Sequence, residues 1–107
     1  MEINSVELQE KINNGEKIIV DFYAQWCSPC KVMKPSFEKV ANENTTEVKM
    51  YTMDVDQNQE IAIKYGIRNV PTIKLFKSGE NVGTQVGILG ENQLKELIEK
   101  LNETTNN

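Results

Sequence analysis

At 107 residues the chain is long enough for one domain with an ordinary hydrophobic core, and residues 1–107 are read as that single domain. Its 12 basic and 16 acidic residues give a formal charge of −4, which argues against nucleic acid or an anionic membrane as a partner. The sequence contains no histidine, so the usual general base, the usual metal ligand and any Cys–His nucleophile scheme are excluded together.

Residues 1–15 carry Glu2, Glu7 and Glu10 without a continuous apolar run, so no signal peptide is expected, and no later stretch is long enough to span a bilayer. A cytoplasmic location follows as an expectation. Met1 to Ile3 reads as a short edge strand. Asn4 followed by Glu7 fits a capping box, Leu8 and Ile12 supply an apolar stripe, and Asn14-Gly15 stops the helix, which predicts a helix over about 5–14.

Lys17 to Tyr23 (KIIVDFY) predicts a strand covered on both faces, with Ile18, Val20 and Phe22 on one side and Ile19, Asp21 and Tyr23 on the other. Asp21 then falls in a largely apolar layer, where a carboxylate needs either a raised pKa or a polar partner. From Cys30 to about Asn44, the apolar residues Met33, Phe37, Val40 and Ala41 recur at helical spacing, and Pro35 is expected to kink the helix.

Val48 to Val55 alternates as a strand, and Asp56-Gln57-Asn58 leads into a helix ending at Gly66. Thr72 to Phe76 and Asn81 to Gly87 flank Lys77-Ser78-Gly79-Glu80, a hairpin signal. Leu94, Leu97, Ile98 and Leu101 mark an amphipathic helix, with Glu91–Lys95 and Glu96–Lys100 as supporting i,i+4 pairs; residues 102–107 are expected to fray. The order βαβαβαββα implies parallel strands in the first half and an antiparallel hairpin in the second. The fold class is therefore α/β, a mixed central sheet of four to five strands with helices on both faces.

The only two cysteines, Cys27 and Cys30, sit three positions apart where a strand gives way to a helix. Unpaired N–H groups and the positive end of the helix dipole favour a thiolate at Cys27, and Cys30 lies one turn on, within reach for a disulfide. Other uses of the pair are weaker. A purely structural disulfide would close a loop of four residues, worth roughly 2 kcal/mol in the chain-entropy model. A zinc half-site would need two further soft ligands that only a second copy could bring. Two inert core cysteines fit poorly with Ser28-Pro29 between them, because Pro at a helix start pre-sets the turn.

Taken together, VDFYAQWCSPCK at 20–31, Pro35, DQN at 56–58, KYGIRNVPT at 64–72, FKSGE at 76–80 and VGILGENQL at 86–94 resemble the thioredoxin family. The resemblance implies the thioredoxin fold and a protein-disulfide reductase whose Cys27–Cys30 pair cycles between dithiol and disulfide. Cys27 would be the nucleophile, Cys30 the resolving thiol, and Asp21 the buried acid exchanging a proton with Cys30. Trp26, Ser28, Pro29, Val70, Pro71 and Gly87 would form the substrate-binding surface. Pro71 would be a cis proline, Val70 would offer its backbone to an extended substrate, and Gly87 would leave room for that peptide.

The resemblance further implies a monomer that acts on disulfide-containing proteins and is recycled by thioredoxin reductase. No flavin or nicotinamide fingerprint is present, so no cofactor is expected. Ser28 stands where the family usually has Gly, Tyr23 where it often has Trp, and Thr52 where many members carry a Lys near the buried acid. The Ser28 hydroxyl is expected within reach of Cys27. Strongly oxidising relatives usually place a His between the cysteines; Ser28-Pro29 brings no such charge, which implies a reductant. The competing reading is a binding module that grips peptides on the same surface without turnover.

Overall fold

The computed structural model describes residues 1–103. Among the described residues four helices and four strands follow in the order α1 (Ser5–Asn13), β1 (Ile18–Tyr23), α2 (Ser28–Glu43), β2 (Lys49–Asp54), α3 (Gln59–Lys64), β3 (Thr72–Lys77), β4 (Glu80–Val86) and α4 (Glu91–Asn102). The sheet order is β2-β1-β3-β4. β1 pairs parallel with β2, and β3 runs antiparallel to both β1 and β4. The mixed sheet is thus as expected, with four strands. Met1 to Ile3 contributes only an isolated parallel bridge, Glu2 to Thr52.

Alternation along β1 sorts the core into two layers. Ile18, Val20 and Phe22 meet Leu8 and Ile12 of α1 and Ile61 of α3. Ile19 meets Met33, Phe37 and Val40 of α2 together with Leu94, Leu97, Ile98 and Leu101 of α4. Helices therefore cover both faces, and β1 is buried from Ile18 through Phe22.

Local signals explain most element ends. Glu7 N–H donates to Asn4 Oδ1 at 2.9 Å and Asn4 N–H donates to Glu7 Oε1 at 3.1 Å, the reciprocal cap that starts α1. Pro35 lies inside α2, which continues to Glu43. The β3–β4 turn places Ser78 at φ 55° and Gly79 at φ 85°; two left-handed central residues match the right-handed twist of the flanking strands. The fraying expected over residues 102–107 concerns mostly residues outside those described, and α4 extends through Asn102.

One expectation is corrected. Among the described residues, Glu91 and Lys95 do not pair within α4; they reach across to α2, with Lys39 Nζ–Glu91 Oε1 at 3.1 Å and Lys95 Nζ–Glu43 Oε1 at 3.8 Å. Packing of α4 beside α2 brings these partners closer to hand than the same-helix ones. All four groups are solvent-exposed, so the apolar seam beneath them, not the ion pairs, holds the helices together.

Leu94 is fully buried in that seam. Leu94→Ala is expected to lower the unfolding free energy by about 2–5 kcal/mol in urea titrations followed by far-UV circular dichroism. A loss below about 1 kcal/mol would mean that the layer closes over the missing volume.

Candidate active site at the start of helix α2

β1 ends at Tyr23, and a short turn, with Cys27 N–H donating to the Ala24 carbonyl at 3.2 Å, delivers Cys27 to the N-cap of α2. Cys27 adopts the extended backbone of a cap (φ −90°, ψ 110°), and Pro29 falls in the first turn of α2, where its missing N–H leaves no bond unmade. Cys30 N–H donates to Cys27 Sγ at 3.2 Å. The cysteine thus does for this helix what Ser or Asp does for others, and the same N–H that caps the helix would stabilise a thiolate. One turn on, Cys30 is joined to Cys27 by a disulfide, with Cα atoms 5.3 Å apart.

In this disulfide form both cysteines are buried, 3% and 4% exposed. They differ in what they face. Cys27 Sγ lies 3.6 Å from the Val70 carbonyl oxygen, in contact with the segment before β3. As half of a disulfide it has no proton to donate, so this is a packing contact. Cys30, but not Cys27, lines a cleft of about 610 Å³ shared with Asp21, Tyr23, Thr52 and Glu2.

Asp21 is 3% exposed, and its Oδ1 has no hydrogen-bond partner among the described residues. Burial, and secondarily the charge of Glu2, pushes its pKa from 3.8 up to about 7. Of the two outcomes the sequence allows for a buried acid there, a raised pKa or a polar partner, the structure holds the first. Tyr23 is pushed up as well, first by burial and then by donating its hydroxyl to Glu2 Oε1 at 2.8 Å.

The remaining singled-out residues surround the disulfide unequally. Trp26 is 70% exposed and donates Nε1–H to Asp56 Oδ2 at 2.9 Å, so its ring is held beside the cysteines. Ser28 is exposed and its hydroxyl makes no hydrogen bond among the described residues; the donor on Cys27 Sγ is the Cys30 N–H instead. Val70–Pro71 is cis, Pro71 is buried and Val70 half-buried. Gly87 has φ 101° and its N–H donates to the Pro71 carbonyl at 2.9 Å. A Cβ there would meet no protein atom within 4 Å, so the left-handed backbone, not crowding within the protein, demands glycine.

Two residues escaped the sequence reading. Buried Asp54 accepts from Asp56 N–H (2.9 Å), Gln57 N–H (3.3 Å) and Gln25 Nε2 (3.2 Å), and so fixes the turn from which Asp56 holds Trp26. Its place at the end of a strand before DQN was the available signal. Glu2 enters the cleft with no local signal at all.

A capping cysteine joined to a second one turn later, at the end of a central strand, defines a redox-active disulfide of the thioredoxin type. The sequence model of the thioredoxin family matches residues 1–100. The chain is 42% identical to a thioredoxin of Rickettsia bellii over 90 residues, 84% of this chain and 86% of that one. It is also 42% identical to a thioredoxin of Mycoplasmoides gallisepticum over 97 residues, 89% and 94% of the two chains. A solved mutant thioredoxin from Halobacterium salinarum superposes with a TM-score of 0.83 at 39% identity, covering 95% of this chain and 88% of that one. For Fasciola hepatica thioredoxin the values are 0.82 and 38%, covering 94% and 98%. The chain belongs to the thioredoxin family. With its Cys27–Cys30 disulfide it is a thiol–disulfide oxidoreductase.

Asp21 also leaves a mark on stability. The unfolded chain releases the Asp21 proton near pH 4, whereas the folded protein keeps it to about pH 7. The folded state binds the extra proton between these limits, so this group's contribution to stability is lost as pH rises through that window. Asp21→Asn is therefore expected to be more stable than the parent at pH 8, by on the order of 2–3 kcal/mol more than at pH 5, in paired urea titrations. An equal difference at both pH values would mean that Asp21 ionises normally in the folded protein.

Proposed function

We propose that this protein is a cytoplasmic, monomeric, single-domain reductant of protein disulfides, recharged by thioredoxin reductase. The observation that carries this reading is the division of faces at the active site: Cys27 caps α2 beside the Val70 backbone, while Cys30 borders the cleft that holds the Asp21 carboxyl, whose Oδ1 has no hydrogen-bond partner among the described residues. Nucleophile and resolving thiol are thereby served from opposite sides.

In the dithiol form the Cys27 thiolate attacks one sulfur of a substrate disulfide. A Cys27–substrate bond forms, the substrate S–S bond breaks, and the other substrate sulfur leaves as a thiolate. Cys30 then gives its proton to Asp21 and attacks Cys27 Sγ. The second substrate sulfur departs, and the pair of electrons lost by the two cysteines now resides on the substrate thiols. Asp21 suits the step because a base with a pKa near the working pH is ionised in good part and still binds the proton well.

Trp26, Ser28, Pro29, Val70, Pro71 and Gly87 form the surface that receives the substrate. Val70 supports this role directly. Among the described residues its N–H makes no hydrogen bond and its carbonyl meets only Cys27 Sγ, so an extended substrate strand can pair with it beside the sulfur. Exposed Val86, Ile88 and Trp26 offer apolar area next to it. Disulfide-bearing proteins, rather than nucleic acid or membrane, are the partners that this surface and the −4 charge fit.

With dithiothreitol as electron source, the protein is expected to accelerate insulin disulfide reduction above the dithiothreitol background. Cys27→Ser should lose that rate. Cys30→Ser should accumulate a mixed disulfide through Cys27, visible by non-reducing mass spectrometry. No rate above background in the parent would instead make the surface a binding module without turnover.

A further inference from the structure

The cleft behind Cys30 contains a second carboxylate that the steps above do not use. The segment before α1 lies along β2, with Ile3 N–H donating to the Thr52 carbonyl and Thr52 N–H to the Met1 carbonyl, both at 2.9 Å. These bonds fix the backbone on either side of Glu2. Thr52 is the cross-strand partner of Asp21, and Tyr23 stands two residues beyond Asp21, so all three side chains share one face of the sheet.

Both hydroxyls on that face are committed to Glu2. Thr52 Oγ1 and Tyr23 Oη each donate to Glu2 Oε1 at 2.8 Å, and Asp54 N–H donates to Oε2 at 3.2 Å. Three donors suit a carboxylate, which can only accept. Asp21 Oδ1 has none among the described residues. Other charged groups border the same space. Lys31, Lys34 and Glu38 of α2 are exposed at its rim, Met1 carries an amino group there, and Asp54 lies beyond Glu2. Glu2 is exposed like the groups of α2, but among the described residues it alone is hydrogen-bonded to the side chain opposite Asp21.

We propose that Glu2 is a positioning residue for the redox reaction: its anchored carboxylate sets a like charge beside Asp21 in the Cys30 cleft and so fixes the pH range over which Asp21 takes the Cys30 proton. The functional part of this inference rests on Asp21 being the proton acceptor. A negative charge beside a buried carboxyl opposes its ionisation, so Glu2, itself exposed, makes the buried Asp21 the stronger base. No atom or electron passes through Glu2. The proton moves from Cys30 sulfur to the Asp21 carboxylate and returns to solvent through the cleft.

Glu2→Gln keeps an oxygen for the two hydroxyls and removes the charge. Carboxyl carbon resonances of the full chain, titrated in the disulfide form where no thiol ionises, read Asp21 directly. The expected result is a downward shift of the Asp21 midpoint in Glu2→Gln, with charge-retaining Glu2→Asp closer to the parent. The pH midpoint for resolution of a Cys27 mixed disulfide should shift the same way. An Asp21 midpoint that stays in place or rises in Glu2→Gln overturns the inference. The Asp21 reading is tested separately: a resolution pH profile unchanged by Asp21→Asn overturns it, whatever the carboxyl titration of Glu2→Gln shows.

Discussion

The structure depends on burying β1 from both sides at the centre of the sheet. Its alternating residues serve two cores at once, one with α1 and α3 and the other with α2 and α4. With β2 and β3 hydrogen-bonded to its edges, the strand has little freedom to shift. A slip of one residue would send Asp21 into the other layer and turn every apolar contact over. That constraint determines where the strand ends, and therefore where α2 begins and where Cys27 meets its capping N–H.

The same burial creates the chemistry. A carboxyl at the fourth place of a central strand costs stability whenever it ionises, and among the described residues no hydrogen bond offsets this at Asp21 Oδ1. In the proposed mechanism the protein keeps an acid that is unfavourable for folding because it takes the proton of the neighbouring thiol. Cys30 and Asp21 share a cleft open to solvent, which gives the proposed proton transfer a route out, while Cys27 sits on the side of Val70 and Pro71.

The cleft of this chain has a defined polar arrangement. Thr52 is the residue opposite Asp21, and its short side chain places no cation there. The hydroxyl turns to Glu2 instead. The neighbour of the buried acid is then an anion, and the effect on Asp21 runs upward, in the same direction as burial. The residue opposite Asp21 is thus linked to one fifty positions away in sequence.

Much of this was legible in the chain itself. The capping box of α1, the two-faced period of β1, the Ser78-Gly79 turn and the apolar stripe of α4 are signals carried within a few residues, and each element formed where its signal stands. The cysteine pair at a strand-to-helix junction announced its chemistry in the same local way. Tertiary structure alone decided what faces each sulfur, since Val70 comes to Cys27 across 43 positions and Glu2 reaches Thr52 across 50. It also redirected Glu91 and Lys95 from their own helix to α2. Periodicity and capping record what a residue does to its neighbours along the chain. The polarity around Asp21 is set by which side chains the sheet and helices bring together, and the strand that carries Asp21 holds no trace of them.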